Sequence, residues 1–216
     1  MPHARPALSH ELLEDRLVAV LRAPDAADYA PVVEVLLECG IRSIELTLTT
    51  PRALDELPRL KERFGNGVSI GAGTVTSTAL ASKCLAAGAE FIVTPIYVPG
   101  LIELVGIAGV SVLPGAFTPT EIHRAWHEGA SAVKIFPASV VQPSFVRELA
   151  GPFPDITVMP SGGVAFEAIP LWLSAGAIAV SMGGALIGDA FSGRLDALAV
   201  RARQARNAVK AWEDRR

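Results

Sequence analysis

The stretch VSIGAGTVTSTALASKCLAAGAEFIVTP, residues 68–95, holds one complete strand–helix–strand unit. Its two ends, VSIGAGT (68–74) and EFIVTP (90–95), are short apolar runs bounded by turn residues, as strands are. The middle, TSTALASKCLAAGA, opens on Ser/Thr entry residues and closes on a Gly-Ala pair suited to a left-handed helix cap. Strand, helix and strand in that order make the repeating unit of a parallel sheet.

The same unit recurs in both directions. RLVAVLR (16–22) and IRSIELTL (41–48) precede it; VSVLPGA (110–116), SAVKIFP (131–137), DITVMPS (155–161) and AIAVSMG (177–183) follow. These eight strand candidates return about every 20–25 residues, each trailed by a helical pattern such as TPTEIHRAWHEGA. The pattern predicts an α/β fold, a (β/α)8 TIM barrel, as a single domain over residues 1–216. A short helix is expected over 8–15, and a last helix over 190–213 with Leu195, Leu198, Ala199 and Ala202 along one face. A doubly wound open sheet competes, but it needs fewer strands and a glycine-rich first turn, which RAPDAAD does not supply.

Bulk properties agree with a packed domain. Half of the 216 residues are hydrophobic, enough for a sizeable core, and the net charge of −3 gives no reason to expect nucleic acid or an anionic membrane as partner. Cys39 and Cys84 fall in helical segments and form no C-x-x-C pair, so a reduced compartment is expected. MPHARPALSHELLEDRLVAVLR lacks the long apolar run of a signal peptide, and no apolar stretch suits a bilayer span. A soluble, cytoplasmic protein is the expectation.

In such a barrel the chemistry sits where strands end. Arg22 ends the first strand, Glu45 lies late in the second, Thr74 ends the third and Lys134 lies late in the sixth. Alternation along SIELT turns Ile44 and Leu46 toward the helices and Glu45 inward; along AVKIF it turns Val133 and Ile135 outward and Lys134 inward. The other three lysines, Lys61, Lys83 and Lys210, lie on helical stretches and read as solvated. A lysine taken out of water is costly. One reading of it is a structural ion pair with Glu45. The other is a Schiff-base nucleophile, since a desolvated amine is more readily neutral and only the neutral form attacks a carbonyl. Glu45 would then move protons beside it.

Two glycine pairs follow the last strands, in MPSGGV (159–164) and SMGGALIG (181–188). Gly162, Gly163, Gly183 and Gly184 can serve tight turns alone, or free backbone N–H groups to hold a phosphate where barrels often bind one. His123 and His127 share a helix face without a third ligand, so no metal is expected there. GAGTV lacks the dinucleotide spacing, so no nicotinamide cofactor is expected either.

With these residues in hand, the chain resembles the class I aldolases that cleave 2-keto-3-deoxy-6-phosphogluconate. Their family also includes 2-keto-3-deoxy-6-phosphogalactonate and 4-hydroxy-2-oxoglutarate aldolases. The resemblance runs over about residues 10–210 and rests on the ordered set VAVLR, IELTLTTP, IGAGTV, FIVTP, VLPGAFTPTE, VKIFPAS, PSGGV and GGALIG. It implies that Lys134 forms the Schiff base and Glu45 is the acid/base group. It further implies that Arg22 and Thr74 hold the substrate carboxylate, and that Pro95, Phe136, Ser161 and the residue at position 49 line the pocket. Phosphate would lie on Gly162, Gly163, Gly183 and Gly184. No cofactor or metal is implied; the partners are pyruvate and an aldehyde, and the family expectation is a homotrimer.

Two departures bear on the substrate. Thr49, in TLTTP, stands where gluconate-type members carry arginine, which removes a charged contact worth about 1.5–3 kcal/mol. Arg22, as in the galactonate branch, is placed to compensate. Ala185 follows Gly-Gly where many members have serine, and TPIYVPG replaces a shorter SPG. A sugar-phosphate epimerase or isomerase, or a binding module without catalysis, remains compatible with the same residues.

Overall fold

The computed structural model describes residues 5–215. The chain opens with α1 (His10–Asp15), β1 (Leu17–Leu21), α2 (Tyr29–Glu38), β2 (Ser43–Thr47), α3 (Ala53–Phe64) and β3 (Ser69–Gly73). Then come α4 (Thr78–Ala86), β4 (Phe91–Val93), α5 (Leu101–Ile107), β5 (Ser111–Leu113), β6 (Gly115–Ala116) and α6 (Pro119–His127). It ends with β7 (Val133–Ile135), α7 (Ser144–Ala150), β8 (Val158–Pro160), α8 (Ile169–Ser174), β9 (Val180–Met182), α9 (Gly184–Ile187) and α10 (Leu195–Glu213). No helix among the described residues is long and apolar enough to cross a membrane.

Every strand pairing is parallel. The regular ladders do not form the closed ring of eight that the sequence predicts. They form an open six-stranded sheet, ordered β5-β4-β3-β2-β1-β9, and a three-stranded one, β6-β7-β8. Proline makes both seams. The fifth predicted strand breaks at Pro114, which has no N–H to donate toward β7, and the next N–H, of Gly115, turns to the Thr94 hydroxyl at 3.0 Å. At the second seam, Ser161 N–H serves Ile135 O on β7, while Val158 O accepts from Ile178. Alternation therefore directs Pro160 toward β9, where it has nothing to donate. Among the described residues the Ser161–Ser181 bridge, the hydroxyl contact of the same two serines and the Ile178 bond join the sheets there.

Burial follows the two-residue period of the strands. Ile44, Leu46, Val133 and Ile135 belong to the large cluster beneath the helices. Val18, Phe91, Val93, Leu113, Ala132 and Met159 form a separate inner cluster, into which α1 inserts Leu12. That inner cluster makes an apolar floor under the polar ends of the strands.

Helix boundaries depart from expectation at the C-terminal end. Residues 190–192 form a 3-10 turn, and Gly193, at φ +84°, separates it from α10. The face of α10 that is fully buried is Leu198, Ala202, Ala205 and Val209, with Leu195 half-buried. It packs on α2, α8 and α9.

Candidate active site

Lys134 enters the site because Val133 and Ile135 are drawn into the outer core, leaving the side chain between them no direction but inward. Ile44 and Leu46 do the same for Glu45. The two strands sit on different sheets, yet Lys134 Nζ lies 3.5 Å from Glu45 Oε1, with side chains only 7% and 1% exposed. The second carboxylate oxygen, Oε2, is buried and has no hydrogen-bond partner among the described residues. The ring of Phe136 lies 5.4 Å from the ammonium, within reach of a cation–π contact.

Gly73 determines how far the carboxylate can settle against β3. A Cβ at that position would overlap Glu45 Oε1 outright and lie 2.5 Å from its Cγ. Gly73→Ala is therefore expected to push the carboxylate off its seat and destabilise the fold by roughly 1–3 kcal/mol, the usual cost of overpacking. An unchanged urea midpoint would show that Glu45 has room elsewhere.

Thr74, the next residue, has φ +62°. A β-branched side chain seldom occupies that left-handed region, and holding it there costs of order 1–3 kcal/mol. Such strain persists where the surrounding structure over-determines a position.

A cleft of about 470 Å³ opens over this group. Its lining takes in Arg22, Glu45, Thr74, Pro95, Lys134, Phe136, Ser161, Gly162, Gly163, Gly183 and Gly184. Arg22 is exposed and supplies the only guanidinium of that lining. Ser161 shares a 3.2 Å hydroxyl contact with Ser181 at the seam. Gly162 and Gly163 turn the chain through φ +85° and +78°, and Gly183 precedes the single turn of α9.

Thr49 is the exception. It is exposed in the turn after β2 and absent from the cleft lining, its hydroxyl donating to Thr47 Oγ1 at 3.1 Å. Threonine is too short to reach inward from that turn. Its place is taken by Thr47, buried, which donates to Leu21 O at 3.0 Å. Val20, Thr47, Ile187 and Gly188 also line the cleft. Alternation from Glu45 finds Thr47, and the Val18–Val20 spacing on β1 finds Val20. No periodic signal marks Ile187 or Gly188.

His123 and His127 lie exposed on α6, rings parallel and 6.1 Å apart, away from the cleft lining. Among the described residues no group of three or more His, Cys, Asp or Glu side chains is placed to hold a metal.

One cleft thus brings together an inward lysine, an inward glutamate and two glycine pairs. The model of the KDPG and KHG aldolases matches residues 8–199. The chain belongs to that aldolase family. Among KDPG and KHG aldolase relatives, it is 32% identical to the 2-dehydro-3-deoxy-6-phosphogalactonate aldolase of Escherichia coli (strain K12). That match covers 79% of this chain and 83% of the relative. The 2-dehydro-3-deoxy-phosphogluconate aldolase of Pseudomonas aeruginosa is 34% identical, over 74% of this chain and 73% of its own. A solved structure described as native KDPGal superposes with a TM-score of 0.85 at 28% identity, covering 92% of this chain and 96% of that one.

Proposed function

We propose that the chain is a class I aldolase that reversibly cleaves a 2-keto-3-deoxy-6-phospho sugar acid to pyruvate and glyceraldehyde 3-phosphate. The observation that carries this reading is the 3.5 Å approach of Lys134 Nζ to Glu45 Oε1, two buried side chains that both line one open cleft. A structural ion pair would have no need of a mouth. This pair opens onto a volume ordinary for a small ligand.

In the proposed cycle, the neutral Lys134 amine adds to the C2 ketone, and the carbinolamine loses water to give an iminium ion. Glu45 takes the proton of the C4 hydroxyl. The C3–C4 bond then breaks, its electron pair moving onto the iminium nitrogen as the aldehyde leaves. The resulting enamine is reprotonated at C3 by the acid Glu45 has become, and water releases pyruvate and the amine. One carboxylate serves both proton transfers because C3 and C4 are adjacent and its Oε2 is uncommitted.

The substrate's two ends are assigned by the family resemblance. Arg22 and the Thr74 hydroxyl take the carboxylate beside C2. The N–H groups of Gly162, Gly163, Gly183 and Gly184 take the phosphate.

A second reading concerns the C4 configuration. The cleft's guanidinium comes from β1's end, as in the galactonate-type pattern, and not from position 49. This favours 2-keto-3-deoxy-6-phosphogalactonate over the gluconate epimer, and 4-hydroxy-2-oxoglutarate, which lacks phosphate, is the weakest of the three candidates. Borohydride reduction in the presence of pyruvate tests the chemistry: the adduct mass should fall on the peptide containing Lys134. An epimerase or a non-catalytic binder would yield no adduct. Cleavage rates for the two C4 epimers, measured side by side, then decide between the substrates.

A further inference from the structure

The cleft wall that follows β9 is made by very little chain. Gly183, Gly184, Ile187 and Gly188 line it, and α9 between them has only four residues. One turn of helix does not hold itself together in water, and its last carbonyls lack intrahelical partners.

Those carbonyls go to one side chain on another element. Arg201, on α10, donates from Nε to Leu186 O at 2.7 Å and from Nη2 to Ile187 O at 2.7 Å. The same guanidinium lies 3.5 Å from Asp189 Oδ1, and its side chain is 21% exposed. Charge-assisted bonds of this length are about twice as strong as neutral ones. Gly188 completes the fit. It stands at φ +51°, and a Cβ there would come within 2.9 Å of Arg201 Cζ and Nη2. The glycine that lines the cleft on one side thus makes room for the guanidinium on the other.

We propose that Arg201 is a positioning residue for the reaction: by clamping Leu186 and Ile187 it fixes the Gly183–Gly188 wall against the phosphate end of the substrate. The proposal rests on the assignment of phosphate to that wall. Arg201 itself does not line the cleft. It acts through the backbone it holds.

The test compares Arg201→Ala and Arg201→Lys with the unaltered enzyme in aldol addition of pyruvate to glyceraldehyde 3-phosphate and to glyceraldehyde. The readout is the ratio of the two kcat/KM values. In Arg201→Ala the preference for the phosphorylated aldehyde should fall roughly tenfold, through KM, as expected for loosening a charge-assisted contact. Arg201→Lys, whose single ammonium keeps the charge but lacks the planar fork that serves the two carbonyls from separate nitrogens, should fall less. Yield of the borohydride-trapped Lys134 adduct should stay the same in both variants. An unchanged ratio, or equal losses with both aldehydes, overturns the proposal and leaves Arg201 as a general structural tie. If Arg201→Ala does not fold, the ratio for Arg201→Lys decides by the same criterion. Absence of any phosphate preference in the unaltered enzyme also overturns it. Absence of the Lys134 adduct in the unaltered enzyme instead strikes the aldolase reading itself.

Discussion

Lys134→Met is expected to lower kcat by on the order of 10⁴–10⁶-fold, the scale of loss when a covalent nucleophile is removed from a site that keeps its binding groups. No pyruvate adduct should form on borohydride reduction. Methionine fills nearly the same volume, so the cleft keeps its shape and the loss reports on the amine. A stability change should accompany it. Glu45 is 1% exposed, and among the described residues the only cation within salt-bridge distance of it is Lys134. Removing one partner of a buried pair typically costs about 3–5 kcal/mol, because the remaining charge is left uncompensated. Adding Glu45→Gln to Lys134→Met should therefore recover part of the lost stability, although both changes inactivate. Chemical denaturation of the single and double variants measures this. If the double variant is as unstable as the sum of the singles, the two groups are not energetically coupled.

Glu45→Gln should separate the steps of the cycle. The amide keeps the size of the carboxylate but cannot accept a proton, so cleavage should slow by roughly 10²–10⁴-fold, the usual contribution of a positioned general base. The Lys134 adduct should still form. Exchange of the pyruvate methyl protons with deuterated solvent, followed by NMR, should slow in parallel with cleavage, because both need a base beside the enamine carbon. Exchange at the unaltered rate would falsify the role given to Glu45.

Much of the site was legible because strands carry a strict period. In SIELT and AVKIF the apolar neighbours commit themselves to the helices, so the direction of Glu45 and Lys134 follows before any coordinates are known. The glycine pairs were legible by composition. Thr49 was misplaced for the opposite reason: it lies in a turn, where nothing periodic governs direction, and its short side chain stays at the surface. Ile187 and Gly188 depend on how one helical turn is held by Arg201, fifteen residues from Leu186 in sequence. The closed ring failed where the sequence had a readable warning. Pro114 and Pro160 both lie inside segments assigned as strands, and proline within a central strand counts against an unbroken ladder.

Those two prolines carry a geometric consequence. Lys134 rides on the smaller hydrogen-bonded block, β6-β7-β8, and Glu45 on the larger one. At the first joint the blocks are continuous, β5 running through Pro114 into β6; at the second they meet through the Ser161–Ser181 bridge and hydroxyl contact and the Ile178 bond. The 3.5 Å between Lys134 and Glu45 is therefore spanned across two separately laddered blocks, so it depends on how those blocks meet and not on the register of any one ladder.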